Sequence, residues 1–162
     1  MPDRDTYTHL MAFLDEHGAQ YRLLEHAPEG RTETVSLMRG HPVAHAAKCI
    51  IVMVKLGKKV TAFVLAVVPG DARLDLNAIR LLKGATYVGF APPDRAQELA
   101  GSVVGTVLPF AFDPRLELIA DPAITNHEEL FFNAARLDRS IGLRTDDYVR
   151  LAKPRFERIV SA

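Results

Sequence analysis

The sequence predicts an α+β domain with a mixed sheet, and three observations carry that prediction. Two continuous apolar runs rich in Val and Ile, Cys49 to Val54 and Val60 to Val68, are joined by the polar turn Lys55, Leu56, Gly57, Lys58, Lys59, which reads as an antiparallel hairpin. Neither run alternates between apolar and polar residues, so both faces are expected to be covered and the hairpin belongs in the middle of its sheet. Helical and strand patterns intermingle elsewhere without regular strand–helix alternation, which favours a mixed sheet over a doubly wound parallel one. The 162 residues suffice for one core, so residues 1–162 are read as a single domain.

Thr6 to His17 places Leu10, Met11, Phe13 and Leu14 at helical spacing and stops at Gly18, a residue suited to a left-handed cap. Tyr21 to Glu25 is a short strand, followed by the breaker segment His26 to Gly30. Thr32 can cap a short helix that runs through Arg39 and ends at Gly40, with Pro42 supporting another start. After the hairpin, Pro69 and Gly70 turn the chain, and Asp75 caps a helix, LNAIRLLK, that Gly84 terminates. Thr86 to Phe90 is a strand, and Pro92, Pro93 and Asp94 open a helix ending near Gly101. The segment Gly101 to Phe110 mixes strand formers with two glycines and a proline. It is either a plain turn or a place where a ligand approaches the backbone, and its valine flanks suggest an extended path through Gly105. Leu116 to Ala120 is a strand, Asp121 and Pro122 turn, Glu129 to Ala134 and Ser140 to Leu143 are apolar segments, and Thr145 caps a closing helix through Ala152.

Composition bounds the function. An apolar fraction of 48% and a charged fraction of 25% are ordinary for a globular protein, and no apolar run approaches the ~20 residues of a bilayer span. The N-terminus has no apolar core behind a basic start, so no secretory signal is expected. The single cysteine, Cys49, excludes an internal disulfide and fits the cytoplasm. Net charge is zero, which argues against wholesale coating of nucleic acid, yet the charges are uneven. Residues 1 to 30 hold two basic groups against six acidic ones, a formal −4. Residues 31 to 60 hold six, Arg31, Arg39, Lys48, Lys55, Lys58 and Lys59, against Glu33 alone, a formal +5. Lys55, Lys58 and Lys59 are either a solvated hairpin tip or part of an anion-binding patch. Lys48 differs: it enters the first apolar run with no acidic neighbour in sequence and must find solvent or an anionic partner.

Several chemistries recede. Strand alternation puts Cys49 on the face opposite Lys48, so a buried structural thiol is favoured over a nucleophile. His41 and His45 have the spacing of a helical metal pair, but no Glu lies inside the motif and Pro42 interrupts it. There is no P-loop, no GxGxxG after a strand and no GxSxG elbow, so neither a nucleotide cofactor nor a serine hydrolase is expected.

The ordered set Arg31–Thr32, Ala47–Lys48–Cys49–Ile50–Ile51–Val52, Ala66–Val67–Val68–Pro69–Gly70–Asp71, Gly105–Thr106–Val107–Leu108–Pro109–Phe110 and Phe132–Asn133–Ala134–Ala135–Arg136 resembles the YbaK/EbsC family. That family is related to the editing insertion domain of bacterial prolyl-tRNA synthetase, and the likeness spans roughly residues 20 to 153. The resemblance implies a compact fold with a barrel-like mixed sheet flanked by helices. It also implies hydrolysis, in trans, of mischarged aminoacyl-tRNA, with prolyl-type tRNA expected and no cofactor. Lys48 matches the family's central lysine, and Gly105 and Pro109 match its Gly-x-x-x-Pro loop. Lys48 and Gly105 are therefore the expected catalytic positions, with Arg31, Thr32, Thr106, Pro109, Phe110, Asn133 and Arg136 binding substrate. Two positions depart from the family, which commonly has glycine where this chain has Ala111 and often Ala-Gly-Arg where it has Ala134–Ala135–Arg136.

An aminoacyl ester is already activated, so its hydrolysis needs a positioned water and an oxyanion site but no covalent nucleophile. Backbone N–H groups around Gly105 can serve the oxyanion. Lys48 can hold a terminal phosphate or the ester, and the tRNA's vicinal hydroxyl can help activate the water. The implied partners are the acceptor end of mischarged aminoacyl-tRNA and an aminoacyl-tRNA synthetase, with no membrane. The alternative is a non-catalytic regulatory module that binds a nucleotide or aminoacyl group in the same cleft.

Overall fold

The computed structural model describes residues 5–161. Helix α1 (Thr6–Glu16) starts where Asp5 accepts the Thr8 N–H at 2.7 Å and buries Leu10 and Leu14, one turn apart. Strand β1 (Tyr21–Glu25) follows, then α2 (Thr32–Arg39), closed by Gly40 at φ 80°. Thr32 is the first helical residue, not the cap. The Glu29 carboxylate instead accepts the N–H groups of Gly30 and Arg31, at 3.1 and 2.9 Å, and holds the turn that leads into α2. A single 3₁₀ turn (Val43–His45) delivers the chain to the hairpin strands β2 (Ala47–Lys55) and β3 (Thr61–Pro69). Helix α3 (Leu76–Lys83) is capped by Asp75 and ended by Gly84, as the pattern predicts. Strand β4 (Tyr87–Phe90), helix α4 (Pro93–Ala100) and strand β5 (Leu116–Ala120) come next. Strands β6 (Glu129–Arg136) and β7 (Arg139–Arg144), helix α5 (Thr145–Ala152) and the two-residue strand β8 (Arg155–Phe156) complete the order.

The strands form a five-stranded sheet, β4-β2-β3-β5-β8, and a three-stranded sheet, β1-β7-β6. The larger sheet is mixed: β2 pairs antiparallel with β3 and β4, whereas β3 with β5 and β5 with β8 are parallel. The hairpin is central, with Lys48 opposite Val68 and Lys55 opposite Thr61. Its lack of alternation has a direct cause. Ile51, Phe63, Leu65 and Val67 face a core shared with α1, β6, β7 and Tyr148 of α5, while Val52, Val54, Val64, Ala66 and Val68 face a second core with Ile79 of α3, Ile119 and Ile159. Each fully buried aliphatic side chain there contributes about 1.5–3 kcal/mol, which makes the hairpin the main source of cohesion. The sheets are not closed into a barrel, the one respect in which the architecture departs from the shape that the resemblance implies. They are tied at one point near the site by a parallel bridge between Ala46 and Phe131.

Candidate active site

Where the two sheets meet, at the start of β2, the chain leaves a cavity of about 130 Å³. Four segments line it: Gly30, Thr32, Val35 and Arg39 from α2 and the turn before it, Ala46 to Cys49, Gly105 and Val107 from the loop after α4, and Phe132 and Asn133 from β6. Thr32, Val35 and Arg39 share one helical face because they are three and seven residues apart. Of the nine residues expected from sequence, Thr32, Lys48, Gly105 and Asn133 meet here.

Lys48 lies on the α3 side of the hairpin and its Nζ donates to the Ala72 carbonyl at 2.6 Å. A lysine ammonium carries three donors, so two remain. Cys49 points the other way and packs on the first core, as alternation requires, but it also borders the cavity. Burial pushes its thiol well above the ordinary range, which suppresses the reactive thiolate.

Gly105 differs from the expected extended path. Val103 O accepts the Thr106 N–H at 3.1 Å, and Gly105, third in that turn, has φ +88°. This is the backbone sign that a type II turn demands of its third residue, and it explains the glycine without reference to a strand. A Cβ there would also lie 3.0 Å from the Gly30 Cα, so two glycines let the loop and the α2 turn touch. Asn133 is buried and its Nδ2 donates to the carbonyls of Glu29 at 2.9 Å and Arg136 at 3.1 Å, fixing that turn against β6.

The other five expected residues do not line the cavity. Arg31 is exposed and pairs with Glu29 at 3.2 Å, an arrangement that holds the Glu29 carboxyl below its usual range. Buried Thr106 donates to Val103 O at 2.6 Å, and Pro109 O accepts the Tyr148 hydroxyl at 2.8 Å. Phe110 packs edge-on against Tyr148, with ring centroids 5.4 Å apart. Arg136 lies outside, 3.2 Å from Asp5 and over the Tyr7 ring. Thr106, Pro109 and Phe110 anchor the loop that carries Gly105 and Val107.

Sequence reasoning missed Gly30, Val35, Arg39 and Phe132 as wall residues. Arg39 was legible in part, since the helix from Thr32 places it on the same face. Its Nε donates to Val35 O at 3.3 Å and its Nη1 to Ser140 Oγ at 3.4 Å, and burial pushes its pKa down to about 10. His41 and His45 do not converge on a point: His41 stacks on Phe131 at 3.9 Å and His45 on His127 at 3.8 Å. Among the described residues, no group of three His, Cys, Asp or Glu is placed to hold a metal, and no helix is long and apolar enough to cross a membrane.

The described residues thus form an α+β scaffold with a small polar cavity where its two sheets meet. Residues 26–151 match the aminoacyl-tRNA editing domain family, and the chain belongs to that family, whose members act as hydrolases on aminoacyl-tRNA. It is 38% identical over 150 residues to the multifunctional Ser/Thr-tRNA deacylase ProXp-y of Escherichia coli K12, covering 92% of this chain and 89% of the relative. Two crystal structures share the fold. One, of a hypothetical protein, has a TM-score of 0.83 at 22% identity and covers 94% of this chain and 99% of its own. The other, of a candidate trans-editing enzyme for prolyl-tRNA synthetase, has a TM-score of 0.80 at 18% identity and covers 99% and 100%.

Proposed function

We propose that this protein is a cytoplasmic trans-editing deacylase that hydrolyses the ester of a mischarged tRNA carrying a small hydroxylated aminoacyl group. Prolyl-type tRNA is the expected body, delivered by an aminoacyl-tRNA synthetase. The observation that carries this reading is the cavity. Its roughly 130 Å³ has room for the side chain of a small amino acid. The name of the E. coli relative supports serine and threonine as the class.

The chemistry follows from the wall. Water attacks the ester carbonyl, the bond to the ribose oxygen breaks, and the products are a free amino acid and a tRNA hydroxyl. Lys48, with two unused donors, holds an anionic or ester oxygen. The Gly105 N–H, which has no acceptor among the described residues, is available to the developing oxyanion. The lining contains no Asp, Glu or His, so the proton passes through water and the substrate's own vicinal hydroxyl. Cys49, its thiolate suppressed by burial, takes no covalent part.

A panel of seryl, threonyl, alanyl and prolyl esters on prolyl-type and other tRNA bodies tests the proposal, with Lys48→Ala as the control. The parent is expected to cleave the hydroxylated esters, and the variant to fold normally but turn over on the order of a hundredfold more slowly, having lost a charge-assisted contact and no core volume. Near-normal turnover by a folded Lys48→Ala protein removes the lysine from the mechanism. Tight binding with no hydrolysis of any ester would establish the binding-module alternative.

A further inference from the structure

The guanidinium of Arg39 is a half-buried cation on the cavity wall without a counter-charge among the described residues. Among the described residues no carboxylate forms an ion pair with it, and desolvation alone acts on its ionisation. Its two contacts, to Val35 O and Ser140 Oγ, are long at 3.3 and 3.4 Å, and Ser140 Oγ already lies 2.7 Å from His26 Nε2. A guanidinium has five N–H donors, so at least three have no protein acceptor. Nη2 has no protein acceptor among the described residues, so its donors are free for a ligand that enters the cavity.

The position of Arg39 says which part of a ligand that is. Val35 and Ser140, its neighbours, are 1% and 0% exposed, whereas Val104, beside Gly105, is 64% exposed. Arg39 is itself half-buried and Gly105 exposed, so the guanidinium stands deeper in the cavity wall than the Gly105 turn. An ester still attached to its tRNA must keep its carbonyl toward the mouth and send the amino-acid side chain inward. The α-ammonium, being positive, cannot approach Arg39 either.

We infer that Arg39 is the specificity-determining residue of this cavity, its guanidinium donating to a side-chain oxygen of the aminoacyl group and so selecting hydroxylated residues over apolar ones of the same size. This rests on the deacylase reading above. A site that hydrogen-bonds a substrate hydroxyl rejects the analogue that lacks it, because its own buried donors are then left unpaired.

The test compares kcat/KM for seryl against alanyl, and threonyl against valyl, esters on one aminoacylated acceptor-stem RNA, with the parent, Arg39→Met and Arg39→Lys. The parent should favour the hydroxylated member of each pair by about tenfold to a hundredfold, the range expected for a charge-assisted hydrogen bond. In Arg39→Met the seryl value should fall at least about tenfold further than the alanyl value. Arg39→Lys, which keeps the charge but loses the planar fork, should give an intermediate ratio and keeps the test open if the Met variant does not fold. An unchanged ratio overturns the inference. So does an equal loss on both members, which would put the guanidinium at the reacting carbonyl. If the parent cleaves seryl and alanyl esters equally, this inference fails and the deacylase reading stands; if it cleaves none, the deacylase reading itself fails.

Discussion

Single residues decide several outcomes here, and backbone sign is the first. Gly105 at φ +88°, 3.0 Å from the Gly30 Cα once a Cβ is added, leaves a side chain neither conformation nor room. Gly105→Ala should therefore lower stability by about 1–3 kcal/mol as well as slow deacylation, read by thermal melting beside turnover. A melt at the parent temperature would mean that the turn relaxes. Ala135 is the converse case. It has φ +62°, next to a register shift between Asn133 and Arg136, at a position where the resembled family often has glycine. Ala135→Gly relieves that conformation at the cost of a more flexible unfolded chain, and should raise stability by about 0.5–1 kcal/mol. His41 adds a pH dependence: burial, outweighing its hydrogen bond to Pro42, pulls its pKa from 6.5 down to about 4. Between those values the unfolded chain binds the proton and the folded one does not, so this contribution to stability is full above about 6.5 and is lost as pH falls toward 4. His41→Phe, which keeps a ring against Phe131, should flatten the fall in melting temperature over that window. An equally steep fall in the variant would assign the acid sensitivity elsewhere.

Elements carry the next set of consequences. The β2–β3 hairpin spaces two functions along one strand: Lys48 at the cavity, and the exposed Lys58 and Lys59 beyond Lys55, seven residues away or about 23 Å at strand rise. Too distant to touch a reacting ester, the tip is still within reach of a tRNA stem. Reversing Lys58 and Lys59 to Glu should weaken binding of full-length tRNA and reduce its salt dependence, while hydrolysis of a minimal aminoacyl substrate is unchanged. Equal losses on both substrates would show that the tip acts at the site. The hairpin, β1, α3 and β5 were legible because each is a short strand-forming run or a helical pattern with a cap, turn or breaker residue at its end. The loop after α4 was not: Val103, Val104 and Val107 look like strand residues, but no neighbouring strand takes their hydrogen bonds, and a turn closed by Thr106 results. β8 was missed because two exposed residues after Pro154 carry no local signal, and only the free edge of β5 makes them a strand.

At the scale of the whole molecule, the central sheet separates two cores, and the candidate site opens where the smaller sheet meets its edge. Zero net charge with a local basic excess fits an enzyme that holds the end of a nucleic acid briefly. The sequence by itself determined the α+β class, the buried two-faced hairpin, most helix ends and the place of Lys48 at the start of an apolar strand, because apolar runs, caps and a charge inside such a run are local quantities. It also located Thr32, Gly105 and Asn133 through the resemblance. Only the tertiary structure decided that Arg31, Thr106, Pro109, Phe110 and Arg136 stand off the cavity while Gly30, Val35 and Arg39 line it. Whether a side chain faces a cavity depends on how α2, β2, β6 and the Gly105 turn pack together across more than a hundred residues of chain. Arg39 shows the reason most plainly: its place on a helix face is set by 3.6-residue periodicity, but its lack of a counter-charge depends on every distant segment that surrounds it.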